Sequence, residues 1–259
     1  KGNVLSLLGQ YVEAIACYDK ALEINPSSEY TWNWRGNALI HLKRYKEAIA
    51  CYDKALEINP SSENAWNDKG NVLSLLGQYV EAIACYDKAL EINPSSEYTW
   101  NWRGNALIHL KRYKEAIACY DKALEINPSS ENAWNDKGNV LSLLGQYVEA
   151  IACYNKALEF NHLSEYAWIS RGNALIRLKR YDEAIICYNK VLEINHSNEY
   201  AWYNTACSYA LKGDINSALK YLERAIELNP EECRERALIE PAFDQIRSYK
   251  SFKAQIRGK

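Results

Sequence analysis

The chain contains no methionine, no long apolar run and no excess of charge of either sign. No stretch approaches the roughly 20 consecutive apolar residues that a membrane-spanning helix needs, and no signal-peptide pattern opens the chain. The formal net charge is −2, whereas a nucleic-acid partner usually requires a basic face. We therefore expect a cytoplasmic protein whose partner is neither a membrane nor a nucleic acid.

Motifs for catalysis and for metal binding are also missing from the sequence. There is no glycine-rich phosphate loop, no His-Glu-x-x-His and no Gly-x-Ser-x-Gly pattern. No Cys-x-x-Cys or His-x-x-x-His pair offers a zinc framework, and the four histidines do not cluster. We therefore expect no catalysis, no cofactor and no bound metal.

What the chain has instead is repetition. Residues 1–68 recur letter for letter as residues 69–136, and each copy contains a weaker repeat of 34 residues. The complete repeats begin at Glu29, Glu63, Glu97, Glu131, Glu165 and Glu199. Each of these glutamates is followed three residues later by a tryptophan, and repeat positions are numbered below from the glutamate. Self-similarity at this period predicts an array of stacked supersecondary units.

Each repeat predicts a pair of helices. In the first complete repeat, Trp32, Gly36 and Leu39 are spaced four and three apart, so they lie on one helical face. Repeat positions 20, 24 and 27 are also spaced four and three apart, so they predict a second helix. Pro60 then ends the pair because proline cannot continue a helix, and Ser62 can accept the first free N–H groups of the next helix. The expected order is helix, turn, helix, turn.

The diagnostic residues of the first complete repeat are Trp32, Arg35, Gly36, Tyr45, Ala48, Tyr52, Ala55 and Pro60. This pattern resembles the tetratricopeptide repeat, which carries Trp, Leu-Gly, Tyr, Ala, Phe and Pro over the same length. The resemblance implies an all-α fold, a right-handed superhelical α-solenoid of stacked helix-turn-helix repeats. Lys or Arg replaces the usual Leu before the glycine, and we expect its stem to pack while its head reaches water.

The resemblance covers residues 1–232, with a partial first repeat at 1–28, and we expect capping helices at 233–259. The chain starts inside a first helix, so we expect an excerpt of a longer array, a processed fragment or an engineered array. About two turns are too short to hold a helix in place. Exposed apolar surface there predicts self-association through the N-terminal end.

Six cysteines share repeat position 23, one in each second helix. They are Cys17, Cys51, Cys85, Cys119, Cys153 and Cys187. Equivalent points on stacked repeats lie about 8–10 Å apart, whereas a disulfide needs Cα atoms within about 7 Å. We expect thiols at helix contacts rather than disulfides.

In the tetratricopeptide family the first helices line a concave groove, and the resemblance implies that repeat positions 2, 5, 6, 9, 12 and 13 point into it. The asparagine amide has donors and an acceptor for an extended peptide backbone, and large rings are enriched at binding hot spots. We therefore predict a groove that binds an extended peptide or a partner's flexible segment. The predicted contact residues are Asn37, Asn71, Asn105, Asn139, Asn173, Asn33, Asn67, Asn101, Tyr30, Tyr98, Trp34 and Trp102.

Other interpretations stay open at this point. The asparagines at position 9 can be surface residues copied by duplication without a role in contact. The array can also be a regulatory or targeting module of a larger enzyme, or an RNA-binding helical repeat, although pentatricopeptide repeats are typically one residue longer. A clamp for the carboxylate of chaperone tails is unlike this chain, because the family's Lys and Arg at positions 2, 5 and 6 are missing.

Overall fold

The computed structural model describes residues 1–257, in which helices alternate with short turns. The α-helices are α1 Gly2–Leu7, α2 Tyr11–Ile24, α3 Glu29–His41, α4 Tyr45–Ile58, α5 Glu63–Leu75, α6 Tyr79–Ile92, α7 Glu97–His109, α8 Tyr113–Ile126, α9 Glu131–Leu143, α10 Tyr147–Phe160, α11 Glu165–Arg177, α12 Tyr181–Ile194, α13 Glu199–Lys212, α14 Ile215–Leu228, α15 Pro230–Ile239 and α16 Lys250–Arg257. A short 3₁₀ helix spans Pro241–Phe243. The predicted all-α class is confirmed.

The turn between repeats is held by three local hydrogen bonds. The Ser61 backbone N–H donates to Asn59 Oδ1 at 3.1 Å, and the Ala65 N–H donates to Ser62 Oγ at 3.4 Å. The indole Nε1 of Trp66 donates to the carbonyl oxygen of Pro60 at 2.9 Å. The side chain of Ser62 therefore caps α5, as the sequence predicts, and the tryptophan fixes the turn that precedes it.

The turn inside each repeat comes in two versions that share one backbone shape. Gly9, Gly77 and Gly145 occupy repeat position 15 with φ of 77–78°. In the alternate repeats Lys43, Lys111 and Lys179 occupy the same position with φ of 58–59°. A left-handed backbone suits glycine, whereas it strains a side chain with a Cβ atom. The lysine turns are therefore costlier to form than the glycine turns.

Within every repeat except the last, which has Ala206, the two helices approach closely because position 8 is glycine. A Cβ atom on Gly36 would lie 2.6 Å from Cε1 of the Tyr52 ring. Tyr52 is fully buried, as are Ala48 and Ala55 on the same helix. The glycine therefore makes room for a buried tyrosine at position 24, and this pair recurs from repeat to repeat.

The chain divides into two compact units, residues 1–128 and residues 129–259, called here the N-terminal and C-terminal units. In the N-terminal unit each repeat closes on itself, since Asn59 Nδ2 donates to Glu29 Oε2 at 2.7 Å. Neighbouring repeats are joined by ion pairs, for example Arg35 Nε with Asp19 Oδ1 at 2.7 Å. The head of Arg35 thus lies between repeats, and its Nη1 donates to the Cys51 Sγ at 3.0 Å. A carboxylate and a thiol are the partners of this head, and the Arg35 side chain remains 20% exposed.

The C-terminal unit carries α9–α14 and then a segment without the repeat period. Phe243, Ile246 and Phe252 of this segment are buried, and the 3₁₀ helix packs on α13. The first helix of the segment starts at Pro230, three residues before the predicted boundary at 233. This helix ends two residues before Pro241, and residues 258–259 of the predicted cap lie outside the described residues.

All eight cysteines are thiols, and no disulfide is present among residues 1–257. Burial raises the pKa of Cys85 to about 11, so the neutral thiol prevails near neutral pH. The absence of disulfides at position 23 in solution stays a prediction.

Candidate functional site

The first helices of the N-terminal unit are α1, α3, α5 and α7. We call the side of the first helices that carries repeat positions 2, 6 and 9 the first-helix face. The indole Nε1 of Trp32 donates to Pro26 O, whereas its neighbour Trp34 lies beside Tyr18 and Tyr30. The two tryptophans of the pair therefore serve different faces of α3, because helical residues two positions apart point about 200° apart.

Two aromatic clusters lie on the first-helix face of the N-terminal unit, each with an exposed tyrosine. Trp34 is exposed in one, whereas Trp102 is half-buried in the other. The Trp34 ring centroid lies 6.1 Å from that of Tyr30 and 6.3 Å from that of Tyr18. Trp34 is 41% exposed and Tyr30 is 63% exposed. The same arrangement recurs 68 residues later, where Trp102 lies between Tyr98 and Tyr86 at 6.4 and 6.3 Å. Exposed rings of this size are available to a partner.

The position-9 asparagines are already engaged within their own repeats. In each case the amide Oδ1 accepts a hydrogen bond from the hydroxyl of the position-24 tyrosine. The pairs are Tyr52–Asn37 at 2.6 Å, Tyr86–Asn71 at 2.8 Å, Tyr120–Asn105 at 2.6 Å, Tyr154–Asn139 at 3.0 Å and Tyr188–Asn173 at 2.8 Å. Each of these amides therefore already ties the first helix to the second, and its contact with a partner stays a prediction.

The position-5 asparagines are buried, with 4–9% of their surface exposed in Asn33, Asn67, Asn101 and Asn135. Asn33 Nδ2 donates to Asp68 Oδ2 of the next repeat at 2.9 Å. Asn67 Oδ1 accepts from the hydroxyl of Thr99 at 3.0 Å. The groove role of Asn33, Asn67 and Asn101 stays a prediction, and their burial argues against it. Asn33 and Asn67 also bond to the next repeat.

Asp68 is a site residue that the sequence did not single out. It occupies position 6 of its repeat, where the repeats on either side carry Trp34 and Trp102. Burial raises the pKa of Asp68, and hydrogen bonds from Asn33 and Asn37 oppose that rise. Among residues 1–257, no ion pair joins Asp68 to a basic side chain, because Lys69 beside it pairs with Asp53. A signal was present in the sequence, since Asp alternates with Trp at one position of the array.

The first-helix face of the C-terminal unit differs in its side chains. Position 6 carries Asp136, Ser170 and Asn204 in place of tryptophan. Asn139 Nδ2 donates to the hydroxyl of Tyr166 at 2.6 Å. A pocket of about 270 Å³ is lined by Ser142, Asn173, Ile176, Arg177, Tyr188, Asn204, Cys207, Leu211, Glu240 and Ala242. The segment after Pro230 therefore covers part of this face at its C-terminal end.

Two further properties of the described residues bear on function. Within residues 1–257, no group of three or more His, Cys, Asp or Glu side chains is placed to hold a metal ion. Over the same range, no helix has both the length and the apolar character that a bilayer crossing requires.

Stacked helical hairpins with an exposed aromatic and amide surface define a helical-repeat interaction scaffold. The chain belongs to the tetratricopeptide repeat family, whose model matches residues 29–62, 63–96, 97–130, 131–162, 165–198 and 199–232. A second model, described as a TPR repeat, matches residues 2–42. This family binds protein or peptide partners and is typically a non-catalytic scaffold. The predicted family is confirmed.

Solved structures include several similar proteins. YrrB, described as a TPR protein with an unusual peptide-binding site, is 30% identical with a TM-score of 0.59, over 70% of this chain and 93% of that chain. MamA is 22% identical with a TM-score of 0.60, over 64% and 96% of the two chains. The C-terminal part of a TPR protein from Cytophaga hutchinsonii is 18% identical with a TM-score of 0.74, over 90% and 97%. The last two likenesses concern the fold alone. Comparison with curated protein sequences gave no match.

Proposed function

We propose that the first-helix face binds an extended peptide or a flexible segment of a partner protein. The observation that carries the proposal is the pair of exposed aromatic clusters around Trp34 and Trp102. Rings that pack on each other and remain open on one side lose little conformational freedom on binding, so they suit anchoring pockets. The likeness to YrrB supports a peptide as the ligand, because that protein has a peptide-binding site.

The asparagines have a smaller part in this proposal than the sequence suggested. Their amide oxygens accept from buried tyrosine hydroxyls, so the position-9 side chains first hold the first helix against the second. An Nδ2 group at the surface adds at most one donor per repeat to a bound backbone. The aromatic clusters, rather than the amides, supply most of the binding free energy in this arrangement.

The test is truncation of the aromatic clusters. Replacing Trp34 and Trp102 together by Ala is expected to weaken a partner found by pull-down at least a hundredfold, since hot-spot residues cost about 2 kcal/mol or more each. The matched control is Val80→Ala, which truncates a side chain that is 65% exposed on the second helix α6. Equal affinity of the double variant and the control, measured by titration calorimetry, would place the site elsewhere.

Two other expectations remain proposals. The cytoplasm is the compartment that we propose, because reduced thiols such as these are maintained there. Pairing of the chain through its N-terminal end also stays a prediction, which light scattering across a dilution series tests.

A further inference from the structure

The first-helix face of the N-terminal unit carries a row of three side chains at one repeat position. Trp34, Asp68 and Trp102 all occupy position 6, on α3, α5 and α7. α3 contacts α5, and α5 contacts α7, so the three helices are consecutive neighbours. The same repeat position on neighbouring helices places the carboxylate between the two aromatic clusters. The row therefore has the order ring, carboxylate, ring.

The carboxylate of Asp68 has neutral partners only. Asn33 Nδ2 donates to its Oδ2 at 2.9 Å, and Asp68 is half-buried, so its carboxylate is partly desolvated. A desolvated carboxylate is costly unless a cation compensates its charge. An ammonium or guanidinium group that reached Asp68 would form a charge-assisted bond, which is stronger than a bond between neutral groups.

The cations of the protein that lie nearest in sequence are committed elsewhere. Arg35 Nε pairs with Asp19 at 2.7 Å, Lys69 Nζ pairs with Asp53 at 2.6 Å, and Arg103 Nε pairs with Asp87 at 2.6 Å. All three occupy position 7, and their partners lie on the second helix of the preceding repeat. These three cations therefore leave the Asp68 carboxylate open to a cation from a bound partner.

The aromatic rings on either side of Asp68 determine which side chains of a ligand can lie next to its cation. Trp34 packs with Tyr30, and Trp102 packs with Tyr98, so each cluster offers a broad apolar surface. Apolar or aromatic side chains fit there by burial, and the ring faces also attract a cation that passes over them. The carboxylate and the two apolar surfaces therefore favour a ligand that has a cation between two apolar or aromatic side chains.

We propose that this face selects an extended segment in which a Lys or Arg side chain pairs with Asp68 between two apolar residues that pack on the Trp34 and Trp102 clusters. The inference rests on the proposed function and adds the chemistry and the register of the ligand. Neighbouring first helices lie about 10 Å apart, and an extended chain rises about 3.3 Å per residue. The apolar residues therefore stand about three positions before and three positions after the cation.

The experiment uses the full chain and a set of labelled peptides in fluorescence anisotropy. The reference peptide is Phe-Ser-Ser-Lys-Ser-Ser-Phe, and two further peptides carry Gln or Glu at the centre. A fourth peptide has the second Phe moved one position closer. We expect the Lys peptide to bind at least tenfold more tightly than the Gln peptide, the Glu peptide to bind least, and the shifted peptide to lose affinity.

Asp68→Asn is the decisive variant, because Asn keeps an acceptor for Asn33 but loses the charge. In this variant the Lys and Gln peptides are expected to bind with about equal affinity, while helicity and melting temperature are retained. The matched control is Asp136→Asn, which changes the same position in an identical helix whose following repeat carries Ser170 instead of tryptophan. The control is expected to keep the preference for Lys.

The outcomes separate this inference from the proposed function. Binding that is lost in Trp34→Ala and Trp102→Ala but ignores the central residue leaves the groove function in place and overturns the selection of a cation. Binding of no peptide, or binding that ignores both tryptophans, overturns both. Pairing of the chain that is abolished by Trp34→Ala, with no peptide bound, would make a second copy the occupant and would also overturn the inference.

Discussion

The N-terminal and C-terminal units share a repeat but treat the junction between repeats differently. In the N-terminal unit Arg35 and Arg103 pair with Asp19 and Asp87. In the C-terminal unit Asn155 stands at the position of those aspartates. The Nε of Arg171 is buried there without a partner, while its Nη1 donates to the Cys187 Sγ at 2.9 Å. Packing tolerates the loss of the carboxylate, because the buried tyrosine and glycine of the repeat are retained.

At the junction between the last two repeats, both residues of the ion pair are replaced. Asn189 stands where the repeats of the N-terminal unit have Asp, and Thr205 replaces the cation, with its hydroxyl donating to Ala201 O at 2.8 Å. Both partners of the ion pair are absent there, and the threonine hydroxyl has its hydrogen-bond acceptor within its own helix. The ion pair is therefore a replaceable part of the junction, whereas the glycine–tyrosine contact is kept in both units except in the last repeat, which has Ala206 and Leu222 at these positions.

The largest expected effect comes from the contact that both units share. Gly104→Val and Gly172→Val place a Cβ atom 2.7 Å from Cε1 of Tyr120 and Tyr188, respectively. Each is expected to lower the free energy of unfolding by about 3 kcal/mol, because overpacking a close helix contact displaces a buried ring. Urea unfolding, followed by circular dichroism, measures this change in the free energy of unfolding. Ala84→Val, exposed on α6, controls for the helix propensity of valine, and a cost no larger than the control's would contradict the shared role.

A smaller effect is expected from the ion pair that distinguishes the units. Asn155→Asp is expected to raise the free energy of unfolding by about 1 kcal/mol, because it gives Arg171 Nε a charged acceptor. The reverse change, Asp87→Asn, is expected to lower it by about the same amount, since Arg103 then loses its acceptor. Thermal unfolding of both variants measures the pair. Negligible changes in both variants would mean that the charges at the junction do not contribute to the free energy of unfolding.

The smallest effect is expected at the turns inside the repeats. Lys111→Gly and Lys179→Gly relieve a left-handed backbone at φ of 58° and 59° and are each expected to stabilise the chain by about 0.5 kcal/mol. The gain is small because glycine also adds freedom to the unfolded chain. Gly77→Lys is the mirror control and is expected to destabilise by a similar amount. A loss of stability in both lysine variants would show that these side chains make contacts worth more than the strain.

The periodic part of the fold could be predicted from the sequence, because a helix boundary depends on local chemistry. The first helices start at the predicted glutamates and follow a serine or asparagine at the preceding position. The position-23 thiols followed from geometry alone, since stacked equivalents lie too far apart to bond. These features need only the repeat and its period.

The candidate site could be predicted only in part, because periodicity gives the side of a helix but not what covers it. Tyr30 and Trp34 are exposed as expected, whereas Asn33 is hidden by its bond to Asp68, which lies one repeat further on. The Oδ1 of Asn37 is occupied by a tyrosine hydroxyl from the second helix. Such pairings depend on the distance and angle between two helices, which no single repeat encodes.

The hydrogen bonds between repeats also have a consequence for how the chain acquires its structure. They join residues that are close in sequence, such as Arg35 with Asp19 at a separation of 16 and Asn33 with Asp68 at a separation of 35. The bond from Gln255 to Leu219 in the C-terminal segment spans 36 residues. Short separations cost little loop-closure entropy and favour fast folding. During synthesis, each repeat can therefore dock on the one before it while the ribosome is still adding the next.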